Sequence, residues 1–243
     1  GGRSVGLVFQ EPAGAFNPVY TIGFQIAEAV RSHRAVGRAE AQAIARSLLA
    51  TAALDEPSGI GKAYPHQLSG GQLQRAMIAL ALAGDPGLLI ADEPTTALDL
   101  ETQARILTLL RRLADGGRAL LLISHDLAVV AGLVDRVVVL FAGEVVEAAP
   151  TEALFSAPLH PYTRWLLAAA GRASAGEPPA AIDSGALPVA GCRFAPRCVL
   201  AQPDCWLRPP PLATIAPQRA LRCPIVAAAA GSAASPPGPD GNG

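Results

Sequence analysis

The sequence predicts an α/β fold in which parallel strands alternate with helices. Short apolar runs at 5–9, 88–91, 119–123 and 136–141 are separated by segments whose apolar residues recur at helical spacing. The run Leu88-Leu89-Ile90-Ala91 has no polar alternation, the pattern of a strand buried in a parallel sheet. It ends in Asp92-Glu93, at the carboxyl end of a strand, where open α/β sheets place their ligands.

Taken in order, the first strand runs into Gln10 and then into "EPAGAFNPVYTIG", a stretch rich in turn formers. The segments "TIGFQIAEAVRSH" and "RAEAQAIARSLLATAAL" carry helical periodicity, and almost no strand signal interrupts residues 20–85. "LSGGQ" at 68–72 opens the next helix, expected from Gly71 to Ala83. An N-cap serine before two tolerated glycines occurs in many helices that bind nothing. Small residues at a helix start also leave N–H groups free at the positive end of the macrodipole, which suits an anion. Asp92 and Glu93 follow on an extended segment, so the two carboxylates are expected to face different sides, Asp92 toward magnesium and Glu93 toward a water. A further apolar strand, "RALLLISHD" at 118–126, ends in Ser124-His125.

"LSGGQ" and "LLIADE" in this order and separation resemble the signature and Walker B strand of ABC-type ATPases. Other residues fit one at a time. "VGLVFQEP" at 5–12 resembles the Q-loop, with Gln10 at the position that senses magnesium and the attacking water. "ALD" at 97–99 resembles the D-loop and places Asp99 near a partner subunit, and His125 matches the H-loop. The resemblance implies ATP and Mg2+ as ligands, with Glu93 and His125 catalytic and Gln10, Ser69, Gly70, Gly71, Gln72, Asp92 and Asp99 binding. Residues 1–150 would form the ATPase domain and about 20–85 its helical subdomain, with the segment after Gln10 touching a permease.

From Thr151, "TEALFSAPLHPYTRWLLAA" reads as an amphipathic helix capped by Thr151, with a proline-rich turn. "FSAPLHPYTRWLL" also resembles the segment that follows the core in the ATPases of dipeptide, oligopeptide and nickel importers. This resemblance discriminates more, because every ABC protein shares the core motifs. Residues 171–188 read as a Gly/Ala/Pro/Ser-rich linker. The tail from about Ala227 to 243 reads as low complexity and disordered.

All four cysteines, Cys192, Cys198, Cys205 and Cys223, fall in the extension 151–226. Their spacings lack the close Cys-x-x-Cys pairs of zinc ribbons. Disulfides would be unusual in a cytosolic chain. "GCRFAPRC" with the two later cysteines resembles the motif that binds a 4Fe–4S cluster in some peptide-importer ATPases. Four thiolates suit that cluster or zinc, and both stay open. Pro224 departs from the family, which often has histidine there.

Composition sets limits. The chain has 243 residues, 51% of them hydrophobic, enough for a sizeable core. Its net charge of −1 implies no general attraction to nucleic acid or anionic lipid. No apolar run is long enough to span a membrane and no signal-peptide pattern opens the sequence, so the expected location is the cytoplasmic face of the inner membrane, peripheral and held by partners. A P-loop, which cradles the phosphates and should precede the Q-loop, is not found: Gly61-Lys62 is followed by Ala63 and has Glu56 where the first glycine belongs. The expectation is therefore an amino-terminally truncated ATPase, inactive by itself. The expected partners are a second ATPase subunit (the same or a different one), transmembrane permeases and, indirectly, a solute-binding protein, with no nucleic acid. Two alternatives remain: a non-transport ABC ATPase, and a catalytically inactive fragment whose working site is the metal-binding extension.

Overall fold

The computed structural model describes residues 5–96, 98–171, 188 and 190–232. The chain divides into two compact units between Leu133 and Val134.

In the first unit β1 (Val5–Val8), β2 (Leu88–Asp92) and β3 (Ala119–Ile123) form a parallel sheet in that order. Four helices separate β1 from β2: α1 (Ile22–His33), α2 (Arg38–Thr51), α3 (Pro57–Lys62) and α4 (Gly70–Ala81). Ile22, Ile26 and Val30 of α1 meet Ala41, Ala45 and Leu49 of α2 and Ile60 of α3 in a buried core. The spacing of three or four residues puts each set on one helix face, and each large side chain contributes about 1.5–3 kcal/mol by leaving water. Gly23 lets α1 touch α3, since a Cβ there would stand 2.7 Å from the Gly61 carbonyl oxygen. α5 (Leu100–Asp115) and α6 (Leu127–Leu133) complete the unit. Val8, Leu89 and Ala91 are buried on one side of the sheet, whereas Val5, Leu7, Leu121 and Ile123 on the other are about half exposed.

In the second unit β4 (Arg136–Phe141) and β5 (Glu144–Pro150) form an antiparallel hairpin. After α7 (Thr151–Ser156), α8 (Pro161–Ala169) and α9 (Asp204–Leu207), β6 (Ala213–Ala216) and β7 (Arg219–Leu221) extend the sheet to the order β4-β5-β7-β6. The last helix is α10 (Pro224–Ser232).

Several expectations are corrected. The run 136–141 is not a further parallel strand. Ala142 and Gly143, with φ of 49° and 81°, make a two-residue turn of the kind that joins antiparallel strands. The contact division falls at 133/134, and β7 pairs with the free edge of β5 through Glu147 and Ala148. Residues 151–169 form two helices rather than one. Thr151 does not cap the first; its hydroxyl donates to the Val134 carbonyl at 2.6 Å, and His160 caps the second. The tail expected to be disordered from Ala227 is helical as far as Ser232. The linker 171–188, apart from Gly171 and Pro188, and the tail 233–243 lie outside the described residues.

Candidate functional site

The signature turn is built by reciprocal capping. The Ser69 hydroxyl accepts from the Gln72 N–H at 3.3 Å, and the Gln72 side-chain oxygen accepts from the Ser69 N–H at 2.9 Å. The helix begins at Gly70, so the N–H groups of Gly70 and Gly71 lie in its first turn without intrahelical acceptors. The two glycines serve different ends. A Cβ on Gly70 would meet nothing nearer than Leu98 at 3.7 Å, so glycine there keeps backbone open. A Cβ on Gly71 would stand 2.3 Å from the Thr102 methyl, so any other residue there would force Thr102 to shift.

Thr102 belongs to the first turn of α5, which Asp99 caps. The Asp99 carboxylate accepts from the Thr102 N–H at 2.9 Å and from its hydroxyl at 2.7 Å. These bonds hold the Asp99 pKa below the usual carboxylate value.

At the carboxyl ends of the strands a second group assembles. Register pairs Val8 with Ala91 and Asp92 with Ile123, so Gln10, Glu93 and His125 each follow the end of a neighbouring strand. Glu93 is not extended as its sequence context suggested. Its φ is 46°, a left-handed conformation that costs a non-glycine residue about 1–3 kcal/mol. Its N–H donates to the Ile123 carbonyl at 2.9 Å, so the turn, and not strand alternation, separates it from Asp92. One carboxylate oxygen lies 2.6 Å from His125 Nδ1 and accepts from the His125 N–H at 3.0 Å, and the other accepts from the Thr96 hydroxyl at 3.0 Å. Glu93 is largely covered while His125 is 78% exposed. The hydrogen bond to Glu93, and then its charge, raise the His125 pKa above the ordinary imidazole value.

Asp92 is exposed, and its carboxylate forms no hydrogen bond or ion pair among the described residues. That leaves it free for a magnesium shell. Gln10 is likewise exposed. Next to it, buried Gln74 of α4 donates to the Phe9 carbonyl at 3.4 Å and fixes the end of β1. The sequence reading missed Gln74; its only signal was a polar residue at a core position of α4. No hydrogen bond among the described residues joins Ser69–Gln72 to Glu93 or His125.

The second unit carries a separate group. Cys192, Cys198, Cys205 and Cys223 line one cavity of about 620 Å³ together with His160 and Phe194. Gly191, at φ 85°, brings the chain so close to Cys205 and Trp206 that a Cβ would stand 2.4 Å from the Cys205 carbonyl oxygen. Burial, and then the neighbouring thiols, raise the pKa of Cys192 and Cys198. N–H groups of Phe194 and Ala195 toward Cys192, and of Leu200 toward Cys198, oppose that rise. Among the described residues no three His, Cys, Asp or Glu side chains are grouped closely enough to hold a single ion.

His160 caps α8 by accepting from the Tyr162 N–H at 3.1 Å, and burial lowers its pKa to about 4. Glu147, fully buried, accepts from the N–H groups of Leu159 at 3.1 Å and His160 at 2.8 Å, and from Arg219 at 3.2 Å. This carboxylate holds the "LHPYT" turn in place. Glu147 was not expected from the sequence, where it reads as a polar position of a strand.

A parallel sheet with a helical insertion, a capped glycine turn and a strand-end Glu–His pair defines a nucleotide-binding cassette of the ABC type. Residues 2–96 match the family model for ABC transporters, and residues 146–205 match that for the C-terminal region of oligopeptide/dipeptide transporters. A protein of Brucella abortus (strain 2308) named for peptide import ATP binding is 44% identical over 229 residues, which are 92% of this chain and 69% of that protein. A similarly named protein of Brucella melitensis is 44% identical over 234 residues. Among solved structures, the ATP-binding cassette MJ0796, as a dimer bound to ADP and Pi, has a TM-score of 0.55 and 32% identity. That match covers 61% of this chain and 63% of the other. CbiO1 of Clostridium perfringens, part of the ABC transporter complex cbiONQ, has a TM-score of 0.57 and 25% identity, covering 63% of this chain and 60% of its own. The chain belongs to the family of ATP-binding subunits of peptide ABC importers.

Proposed function

We propose that this chain is the ATP-hydrolysing part of a peptide importer subunit, with Glu93 as the general base. The observation that carries the reading is the strained turn at Glu93, which holds its carboxylate against His125 at the strand ends. Strain kept where two ionisable groups meet is characteristic of a working site. Two subunits close head to tail, and the N–H groups of Gly70 and Gly71 cap the γ-phosphate of an ATP held by the other subunit. The exposed Asp92 would help hold magnesium, which would supply neutralisation of phosphate charge. Glu93 accepts the proton of the attacking water, Gln10 senses that water, and His125, its ring held by Glu93, donates to the γ-phosphate. Catalysis of this kind is mostly positioning and charge stabilisation.

The permease contact falls at the start of α1. Gln25 donates to the carbonyls of Asn17 at 3.0 Å and Tyr20 at 2.9 Å, which braces a loop whose Val19, Tyr20 and Phe24 are exposed. An apolar tip on a braced loop suits a short helix of a membrane subunit. No helix among the described residues is long and apolar enough to cross a membrane. In this reading the permease holds the subunit at the cytoplasmic face, and a solute-binding protein delivers the peptide.

The test joins this chain to the part of the Brucella abortus relative that it does not span, with a P-loop included, and expresses it with peptide permeases in cells lacking the relative. Growth on a peptide as the required amino-acid source is expected. A stable, ATP-hydrolysing fusion that assembles with the permeases yet gives no peptide uptake would move the chain to the non-transport ABC ATPases.

The shared cavity of the four cysteines supports reading them as a metal site, a 4Fe–4S cluster with zinc as the alternative. Burial, and then the neighbouring thiols, raise the pKa of Cys192 and Cys198, and a bound cation would favour their thiolates. Cys192, Cys198, Cys205 and Cys223 would hold the cluster, which would cross-link the segment from Gly191 to Cys223. Protein made anaerobically with iron supplied is expected to be brown with about four irons per chain, and Cys198→Ser to lose most of that iron. Zinc without iron in that preparation would assign the cavity to zinc.

A further inference from the structure

We infer that Thr102 couples the signature turn to the Asp99 turn, so that the two are positioned as one unit. The argument is contact geometry on both sides of one residue. Toward α4, the Thr102 methyl occupies the space a Cβ on Gly71 would need, at 2.3 Å, so the first turns of the two helices are in direct contact. Toward the loop before α5, the Thr102 hydroxyl and N–H are both spent on the Asp99 carboxylate, at 2.7 and 2.9 Å. Leu98, one residue before Asp99, approaches Gly70 within 3.7 Å of its Cβ position and adds a second contact between the same two turns. A displacement of the Gly71 backbone by a few tenths of an ångström must therefore move Thr102, and Thr102 carries Asp99 with it. The functional meaning rests on the reading given above, in which Gly70 and Gly71 cap a phosphate and Asp99 faces the partner subunit. Thr102 would then report phosphate seating at the signature to the subunit interface.

The residue acts through others, so the decisive readout is at Asp99 and not at activity. The Asp99 carboxyl is titrated by carbon-13 NMR in the purified 243-residue chain without nucleotide, with Asp99→Asn identifying the resonance. In the unsubstituted chain it titrates below the ordinary carboxylate value, held there first by the Thr102 N–H and then by its hydroxyl. Gly71→Ala forces the Thr102 methyl away, and the Asp99 pKa is expected to rise toward 3.8, the value of a free carboxyl. Adding Thr102→Ser removes the colliding methyl and keeps the hydroxyl. The Thr102 Cβ and oxygen lie 3.5 Å from the new Cβ, an ordinary contact, so the double variant is expected to titrate like the parent. An Asp99 pKa that is unchanged in Gly71→Ala, or that stays raised in Gly71→Ala/Thr102→Ser, overturns the coupling. Should Gly71→Ala fail to fold, a double variant that folds and titrates like the parent supports it, and one that also fails to fold overturns it. The titration uses no nucleotide, so its failure is separate from failure of the ATPase reading, which the uptake assay tests.

Discussion

Glu93→Gln, in the fusion that supplies a P-loop, is expected to lower ATP turnover by about 10²–10⁴-fold, the usual worth of a positioned general base, while ATP binding persists. The amide keeps the shape of the carboxylate, but the Thr96 hydroxyl and the His125 N–H donate to different oxygens of Glu93, so the amide's one carbonyl oxygen can accept from only one of them. It cannot take a proton from water. The second consequence is at His125. The Glu93 carboxylate raises the imidazole pKa by hydrogen bond and by charge, so the substitution is expected to bring it back toward 6.5. Steady-state hydrolysis and proton NMR of the imidazole measure the two effects. Turnover within threefold of the parent would remove Glu93 as the base. A lost rate with an unmoved His125 pKa would show that the strand-end pair is not formed in solution.

The other large effect is expected on stability. Glu147→Ala deletes a fully buried carboxylate that serves two backbone N–H groups and the Arg219 guanidinium. Removing one partner of a buried pair leaves the other charge uncompensated and costs about 3–5 kcal/mol. Denaturant unfolding, followed by the fluorescence of Trp165 and Trp206, both in the second unit, should show an earlier transition there while the helical core of the first unit keeps its own. His160 adds a pH dependence in the same unit. Its folded pKa of about 4 lies below the unfolded value of 6.5. The unfolded chain therefore takes up the proton first, and stability falls as pH drops from 6.5 toward 4. His160→Gln should flatten that slope.

Much of the nucleotide-binding unit was legible in the residues themselves. Leu88–Ala91 as a parallel strand, Ser69 as a helix cap and the helical insertion follow from apolar spacing and side-chain chemistry within a few residues. Local rules suffice where the partners are local. The Glu93–His125 contact joins residues 32 apart, and register between β2 and β3 brings them together. The left-handed turn at Glu93 had no advance signal, because glutamate is not a residue that favours it. The second unit was read least well. Ala142-Gly143 is a weak hairpin signal beside Asn-Gly, so apolar spacing alone reads 136–141 as one more parallel strand, and the pairing of β5 with β7 spans more than 70 residues. Glu147 looked like a polar strand position until its burial and its donors gave it a purpose. The sequence by itself determined the class of protein and which residue types stand at each motif, because those depend on neighbours along the chain. The tertiary structure alone decided that Gly71 packs against the Thr102 methyl, that the four cysteines share one cavity, and where the two units divide. Each of these depends on which distant surfaces come into van der Waals contact, and one-dimensional spacing does not encode that.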